Sequence, residues 1–253
     1  KTENGFDINI QKIKDSISNK TVALIYNNYQ NPISAESSKE EMEEIAKIAI
    51  ENNLWVLADD AYYEIKYDGK SRSIVEIPGM RDRTVILYTF SKKYAMTGWR
   101  VGGSIGPEKI IKIISKLNVN AESCTTHFIQ DAMVEALNGD QSGPNEILRR
   151  LKKRRDVAVS GLNAIDGIEI PTPESTFYLF PKVNEIMNRK GFESVEKLQL
   201  GALKNANVSF CTRDHFGRPQ QDEVDYYIRF AYSGISAEDI GEGLKKLKTY
   251  FED

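Results

Sequence analysis

Apolar positions in the first half of the chain switch repeatedly between two periods. Ile8, Ile10, Ile13 and Ile17 recur at mostly helical spacing and predict a helix over residues 6–18. Residues 21–26, TVALIY, form a short continuous apolar run, the pattern of a buried parallel strand. Residues 27–34, NNYQNPIS, are turn chemistry. Ser37 or Ser38 then precedes a second helical pattern reaching about Asn52, with Glu41 placed to complete a capping box and Met42, Ile45, Ile48 and Ile50 apolar. Further strands are predicted at 54–58, 84–88 and 99–104, and helices at 108–117 and 125–137. Strand, helix and strand in alternation predict an α/β fold around a mostly parallel sheet.

Beyond the loop GDQSGP at 139–144 the texture changes. A long helix is predicted over 145–162, followed by short strands at 168–170, 176–180, 208–211 and 226–232 and helices at 195–205 and 237–251. This predicts two domains, an α/β large domain over 1–144 and a smaller α+β domain over 145–253, with the long helix linking them. The long helix carries RRLKKRR at 149–155, a basic run that invites a nucleic-acid reading. Ile147, Leu148, Leu151, Val157 and Leu162 still supply an apolar stripe, so the run reads as a solvated face.

Composition narrows the class without naming it. With 253 residues, 40% hydrophobic and 28% charged, the chain suits a soluble globular protein. A net charge of −3 exerts no general pull on nucleic acid. Two cysteines outside any CxxC pattern point to neither a disulfide framework nor a metal site, and a cytoplasmic setting fits. No apolar run approaches the roughly 20 residues of a membrane span. The opening KTENGFD, without initiator methionine or signal peptide, reads as the middle of a chain.

The chemistry gathers around residues 88–106, YTFSKKYAMTGWRVGGSIG. Lys92 follows a predicted strand and is flanked by small hydroxyl residues. An amine held at such a strand end can be desolvated, lose its proton and attack a carbonyl to form a Schiff base. Arg100, eight residues on, would clamp an anion such as a phosphate with its fork. Asp59 and Asp60 stand at the end of the preceding strand, followed by Tyr62. Active sites of open α/β sheets collect at such ends. Arg229 sits in YIRFAY, an alternating strand, where an arginine among large apolar neighbours is costly unless it meets an anion.

This string closely resembles the pyridoxal-phosphate attachment segment of fold-type I aminotransferases, the class I/II aspartate aminotransferase-like group, in which a hydroxyl residue precedes the lysine by three and Gly-x-Arg-x-Gly follows. The resemblance implies pyridoxal 5'-phosphate as cofactor, with Lys92 forming the Schiff base and moving the substrate's α-proton. It implies Thr89, Ser91 and Arg100 around the phosphate, Asp59 against the pyridine nitrogen, and Tyr62 and Asn31 at the ring's phenolic oxygen. Arg229 would grip the substrate's α-carboxylate, with Asn31 beside it. Departures are Thr89 for the usual Ser or Gly, Asn-Pro-Ile-Ser at 31–34 for Asn-Pro-Thr-Gly, Ser175 for a glycine, and CTRDHFG at 211–217 for Pro-Gly-x-x-Phe-Gly. The last leaves Arg213 and His215 as unusual loop residues.

Amino acids and 2-oxo acids are the implied substrates, a homodimer the implied assembly of the full-length protein, and neither nucleic acid nor membrane an implied partner of this segment. A C–S lyase, an aminocyclopropane-carboxylate synthase, and the aminotransferase-like effector domain of a transcriptional regulator remain alternatives on the same scaffold. The resemblance covers the family's later two-thirds and places a glycine-rich phosphate loop upstream of residue 1. The chain alone is therefore expected to bind cofactor weakly and to show little transaminase activity.

Overall fold

The computed structural model describes residues 6–219 and 223–253, and the chain divides into two compact units. One comprises Phe6–Gln30 and Ala35–Leu148, the other Asn31–Ser34 and Arg149–Asp253.

The first unit is built on a four-stranded sheet of β1 (Ala23–Tyr26), β2 (Trp55–Asp59), β3 (Thr84–Thr89) and β4 (Gly102–Ile105), in that order. The first three strands are parallel and β4 runs antiparallel to β3. Helix α1 (Ile10–Ser16) is shorter than its apolar spacing suggests, because the Asn9 side chain caps it by accepting from Lys12 N and Ile17 turns extended. Helix α2 (Lys39–Glu51) forms the crossover from β1 to β2. Ser38 accepts from Glu41 N while the Glu41 carboxylate accepts from Ser38 N, a reciprocal cap worth about 1 kcal/mol. The other oxygen of Glu41 accepts from Ile8 N, which ties the approach to α1 onto α2. Met42, Ile45, Ala46 and Ala49 on α2 pack with Tyr26, Leu54, Val56 and Ala58 from the sheet, and Ile10 and Ile13 close the layer.

The opposite side of this unit departs from the sequence reading. Val22 and Ile25 are 72% and 76% exposed, so the β1 run is buried on one face only. Every residue of β4 is exposed. Helices α3 (Glu108–Ala121) and α4 (His127–Asn138) contain no buried residue. Ile113, Leu117, Val119, Phe128, Val134 and Leu137 are exposed. Only the half-buried Ile129, Ala132, Met133 and Ala136 of α4 find a core, packing with Phe90, Met96 and Val101.

Helix α5 (Ser142–Asn163) starts three residues before its predicted position, inside the expected loop. Asp140 accepts from Ser142 N at its start, and Pro144 lies in the first turn, where no amide donor is required. Its basic run is not wholly solvated: Arg155 is buried, paired with Asp156 and donating to Pro173 O.

In the second unit β5 (Tyr178–Leu179), β6 (Cys211–Thr212) and β7 (Ile228–Ala231) form an antiparallel sheet with β7 in the centre. Helices α6 (Asn184–Lys190), α7 (Val195–Ala206) and α8 (Ala237–Glu252) complete it. The predicted strand at 168–170 does not form. The Asn163 carboxamide satisfies both Ile170 N and Ile170 O, replacing a ladder partner. A Cβ at Gly161 would lie 2.6 Å from Leu244 Cδ1, so the approach of α5 to α8 requires a glycine there.

Candidate active site

Parallel β2 and β3 end on the same edge of the first unit's sheet, and the antiparallel β4 begins on it. Asp59 is the last residue of β2, Thr89 the last of β3, and Arg100 stands two residues before β4. Thr89 is in register with Gly102. A Cβ at Gly102 would lie 2.6 Å from Tyr88 O, so the strands can close at this point only around a glycine. The topology thus brings Asp59, Tyr62, Thr89, Ser91, Lys92 and Arg100 to one rim. Lys92 Nζ lies 5.1 Å from the centroid of the buried Tyr62 ring, joining the β2 end to the β3 end.

The two neighbouring lysines differ in their surroundings. Lys93 pairs with Glu64, which also accepts from the Tyr88 hydroxyl. Burial alone would lower the Lys93 pKa, but hydrogen bonds to Glu64 and Tyr94 outweigh it and raise the value. Lys93 is therefore held as an ammonium, its Nζ also 5.0 Å from the Tyr94 ring centroid, while Lys92 reaches the Tyr62 ring at the end of β2.

The two aspartates differ as well. Asp60 is 3% exposed and its carboxyl is pushed up to about 6, mainly by burial and further by Asp59 and Glu76, against the hydrogen bond from Ser73 Oγ at 2.8 Å. Asp60 Oδ1 has no partner. Asp59 is half-buried at the rim, and its Oδ1 accepts from Ala61 N at 3.2 Å. The half-buried carboxylate and the deep one lie in different surroundings, and sequence alone did not distinguish their burial.

Between the strands the chain is bent. Ala95 and Arg100 occupy the left-handed region at φ 53° and 55°, each costing about 1–2 kcal/mol. Such strain concentrates at ligand sites. Arg100 is exposed and donates to Thr97 O at 2.9 Å. Thr89 Oγ1 accepts from Ser91 N, closing the turn that carries Lys92.

The other two predicted residues meet in the second unit. Arg229 lies on β7 and donates through Nη1 to Asn31 Oδ1 at 2.8 Å and through Nη2 to Cys211 Sγ at 3.4 Å. Its guanidinium lies 4.5 Å from the Tyr178 ring centroid and 4.9 Å from that of Phe216. Its Nε is buried without a hydrogen-bond partner. Among the described residues no carboxylate pairs with it. A half-buried guanidinium surrounded by neutral groups retains an unmet preference for an anion. Neither the Cys211 contact nor the two aromatic contacts were visible from the arginine's own strand, since these partners come from other segments.

The departures from the family pattern have partners of their own. Ser34, where a glycine was expected, has φ 55°, and its hydroxyl bonds to Thr176 Oγ1 and Tyr178 O. Those two bonds offset the strain of a side chain in the left-handed region. Arg213 forms a bidentate pair with Glu223, and His215 Nδ1 lies 2.8 Å from Thr212 Oγ1.

No helix among the described residues is long and apolar enough to cross a membrane, and no cluster of potential metal ligands occurs among them.

Comparison with known proteins gives the family and the fold. The family model for aminotransferase class I and II matches residues 1–247. An aspartate aminotransferase of Bacillus sp. (strain YM-2) is 34% identical over 227 residues, covering 89% of this chain and 58% of that protein. A probable aspartate/prephenate aminotransferase of Aquifex aeolicus (strain VF5) is 31% identical over 257 residues, covering 100% of this chain and 63% of that protein. The crystal structure of an aromatic aminotransferase from Pyrococcus horikoshii OT3 superposes with a TM-score of 0.88 at 30% identity, covering 98% of this chain and 64% of that one. The chain thus spans about three-fifths of the length of the relatives it matches. The match from end to end of this sequence, and the α/β fold that accompanies it, place the chain in the class I and II aminotransferase family.

Proposed function

We propose that the protein carrying this chain is a pyridoxal 5'-phosphate-dependent aminotransferase that moves an amino group between an amino acid and a 2-oxo acid. Members of its family use this cofactor. The donor set at the rim fits it. Lys92 offers an amine for the cofactor's carbonyl carbon, Asp59 a carboxylate for its pyridine nitrogen, and Tyr62 a phenol for its phenolic oxygen. Arg100, with the hydroxyls of Ser91 and Thr89, suits its phosphate. When bound, the cofactor supplies an electron sink for the pair left at the substrate's Cα.

The chain's own residues carry the remaining steps. Asp59 holds a proton at the ring nitrogen by keeping a negative charge beside it. Lys92 Nζ would take the proton from the substrate's Cα as general base and, as general acid, deliver it to the cofactor carbon that bore the carbonyl. Tyr62, buried against the Lys92 amine, limits where that amine can swing. Arg229 takes the substrate's α-carboxylate on the donors that its neutral neighbours leave available. Asn31 Oδ1 accepts from Arg229, so Asn31 would help to orient that guanidinium.

The observation that carries the proposal is the meeting of Lys92, Tyr62 and Asp59 at the shared ends of β2 and β3. The full-length protein, loaded with cofactor and given an amino-acid donor and a 2-oxo acid, should form the new amino acid. Release of pyruvate or ammonia without amino transfer would replace the proposal with a lyase.

A further inference from the structure

The loop that departs most from the family pattern adjoins Arg229. Residues Arg213–Phe216 form a single 3-10 turn ending at Gly217, whose φ is 105°. Phe216, the last residue of that turn, lies with its ring centroid 4.9 Å from the Arg229 guanidinium and packs edge-to-face on Phe180 at 6.4 Å. The Tyr178 ring centroid lies 4.5 Å from the same guanidinium.

Arg213 braces both ends of this turn. Its backbone N donates to Tyr227 O at 3.0 Å, fixing the start of the turn beside β7. Its Nη1 donates to Gly217 O at 2.9 Å, fixing the exit. Its Nε and Nη2 form a two-pronged pair with Glu223 at 2.6 and 2.8 Å. The two side chains are only 20% and 19% exposed, so this pair is better ordered and less screened than an ordinary surface pair. A lysine could not make all three side-chain bonds, because it lacks the planar fork.

We propose that Arg213 and Glu223 are positioning residues for carboxylate recognition. Together they hold the turn so that Phe216 stays stacked on Arg229, keeping water from that face and directing the guanidinium edge toward a ligand's carboxylate. The inference rests on the reading of Arg229 as the carboxylate-binding arginine. It gives the arginine at position 213 a role, and that role runs through Phe216 rather than through direct contact with substrate.

The test uses the full-length, cofactor-loaded protein and two readouts. One is the split between KM and kcat for the amino-acid donor. The other is equilibrium dialysis with 3-phenylpropanoate, with 3-phenylpropanamide as the uncharged control. Arg213→Ala should weaken 3-phenylpropanoate binding and raise KM by roughly threefold to tenfold, with kcat within about twofold of the parent. Binding of the amide should not change. Phe216→Ala should have an effect of similar size. The double variant should be no weaker than Phe216→Ala alone, because Arg213 acts through that ring. If Arg213→Ala melts early, Glu223→Gln reads the same coupling in a side chain of equal size.

Unchanged carboxylate binding in both Arg213→Ala and Glu223→Gln, or effects of Arg213→Ala and Phe216→Ala that multiply, would overturn the inference. Arg229→Lys separates the two levels. If it weakens 3-phenylpropanoate while the Arg213 and Glu223 variants do not, only the inference fails. If it too leaves binding unchanged, the reading of Arg229 fails and the inference with it.

Discussion

Helices α3 and α8 carry the same kind of apolar stripe and meet opposite fates. Ile240, Leu244, Leu247 and Phe251 of α8 are buried in the second unit, while Ile113, Leu117 and Val119 of α3 lie exposed in the first. The contrast extends to the sheets. Tyr178 and Leu179 of β5 are buried, whereas Val22 and Ile25 beside and within β1 face outward. Amphipathic spacing specifies which residues seek burial, but burial itself needs a second element with a complementary face. Among the described residues the second unit supplies one for α8, while the first half-buries Ile110, Ile111 and Ile114 of α3 and leaves Ile113, Leu117 and Val119 exposed.

The same contrast separates the two groups of site residues. The Lys92 rim is assembled by strand order, with three strand ends meeting at one edge. The Arg229 cluster is assembled by side chains, with Asn31, Cys211, Tyr178 and Phe216 drawn from three segments around one guanidinium.

The predictions test this comparison from the largest effect to the smallest. Lys92→Ala should cost the full-length protein at least about a thousandfold in aminotransferase turnover while leaving its fold intact, since it removes the group proposed to move the proton. Steady-state kinetics beside a circular dichroism spectrum would show it. In the 253-residue chain, Leu162→Ala should cost about 2–5 kcal/mol, because Leu162 is fully buried. Leu117→Ala should change stability by less than about 0.5 kcal/mol, because that side chain is 63% exposed. Equal losses in urea melts would erase the distinction between the two faces.

Asp60 gives a pH test. Its carboxyl titrates near 6 in the folded chain and at the ordinary 3.8 when unfolded. Between those values the folded state holds more protons than the unfolded one, so stability falls as pH rises through that window. Asp60→Asn cannot titrate. Its stability relative to the parent should improve by about 3 kcal/mol from pH 3 to pH 7. A constant difference between the two across that range would show that Asp60 is ionised normally. Among the predictions on function, the smaller effect is that of Arg229→Lys, which keeps the charge and loses the fork. It should raise KM for the amino acid about tenfold and leave cofactor affinity nearly unchanged.

Local signals were the most legible. The Ser38–Glu41 cap, the continuous apolar runs of β2 and β3, and the strand-helix-strand rhythm led directly to the parallel sheet. Once that order holds, Asp59 and Lys92 fall on one rim. What the sequence hid depends on distant partners. Asn163 takes the hydrogen bonds that a strand at Ile168–Ile170 would have needed, and nothing local announces that. Helix α6, with the sequence NEIMNRK, is too short and too polar to stand out by period. Arg155 reads as solvated until Asp156 and Pro173 O are seen to enclose it. The exposure of β1 and α3 was equally hidden, because apolar spacing is blind to whether a covering element exists.

The central claim is that Lys92, and not its neighbour, carries the cofactor. Full-length protein incubated with pyridoxal 5'-phosphate, reduced with borohydride, digested and mapped by mass spectrometry tests it directly. The account predicts the cofactor's mass on Lys92 and none on Lys93, whose amine is held by Glu64. A tag on Lys93, or one spread over surface lysines with Lys92 unmodified, would contradict it.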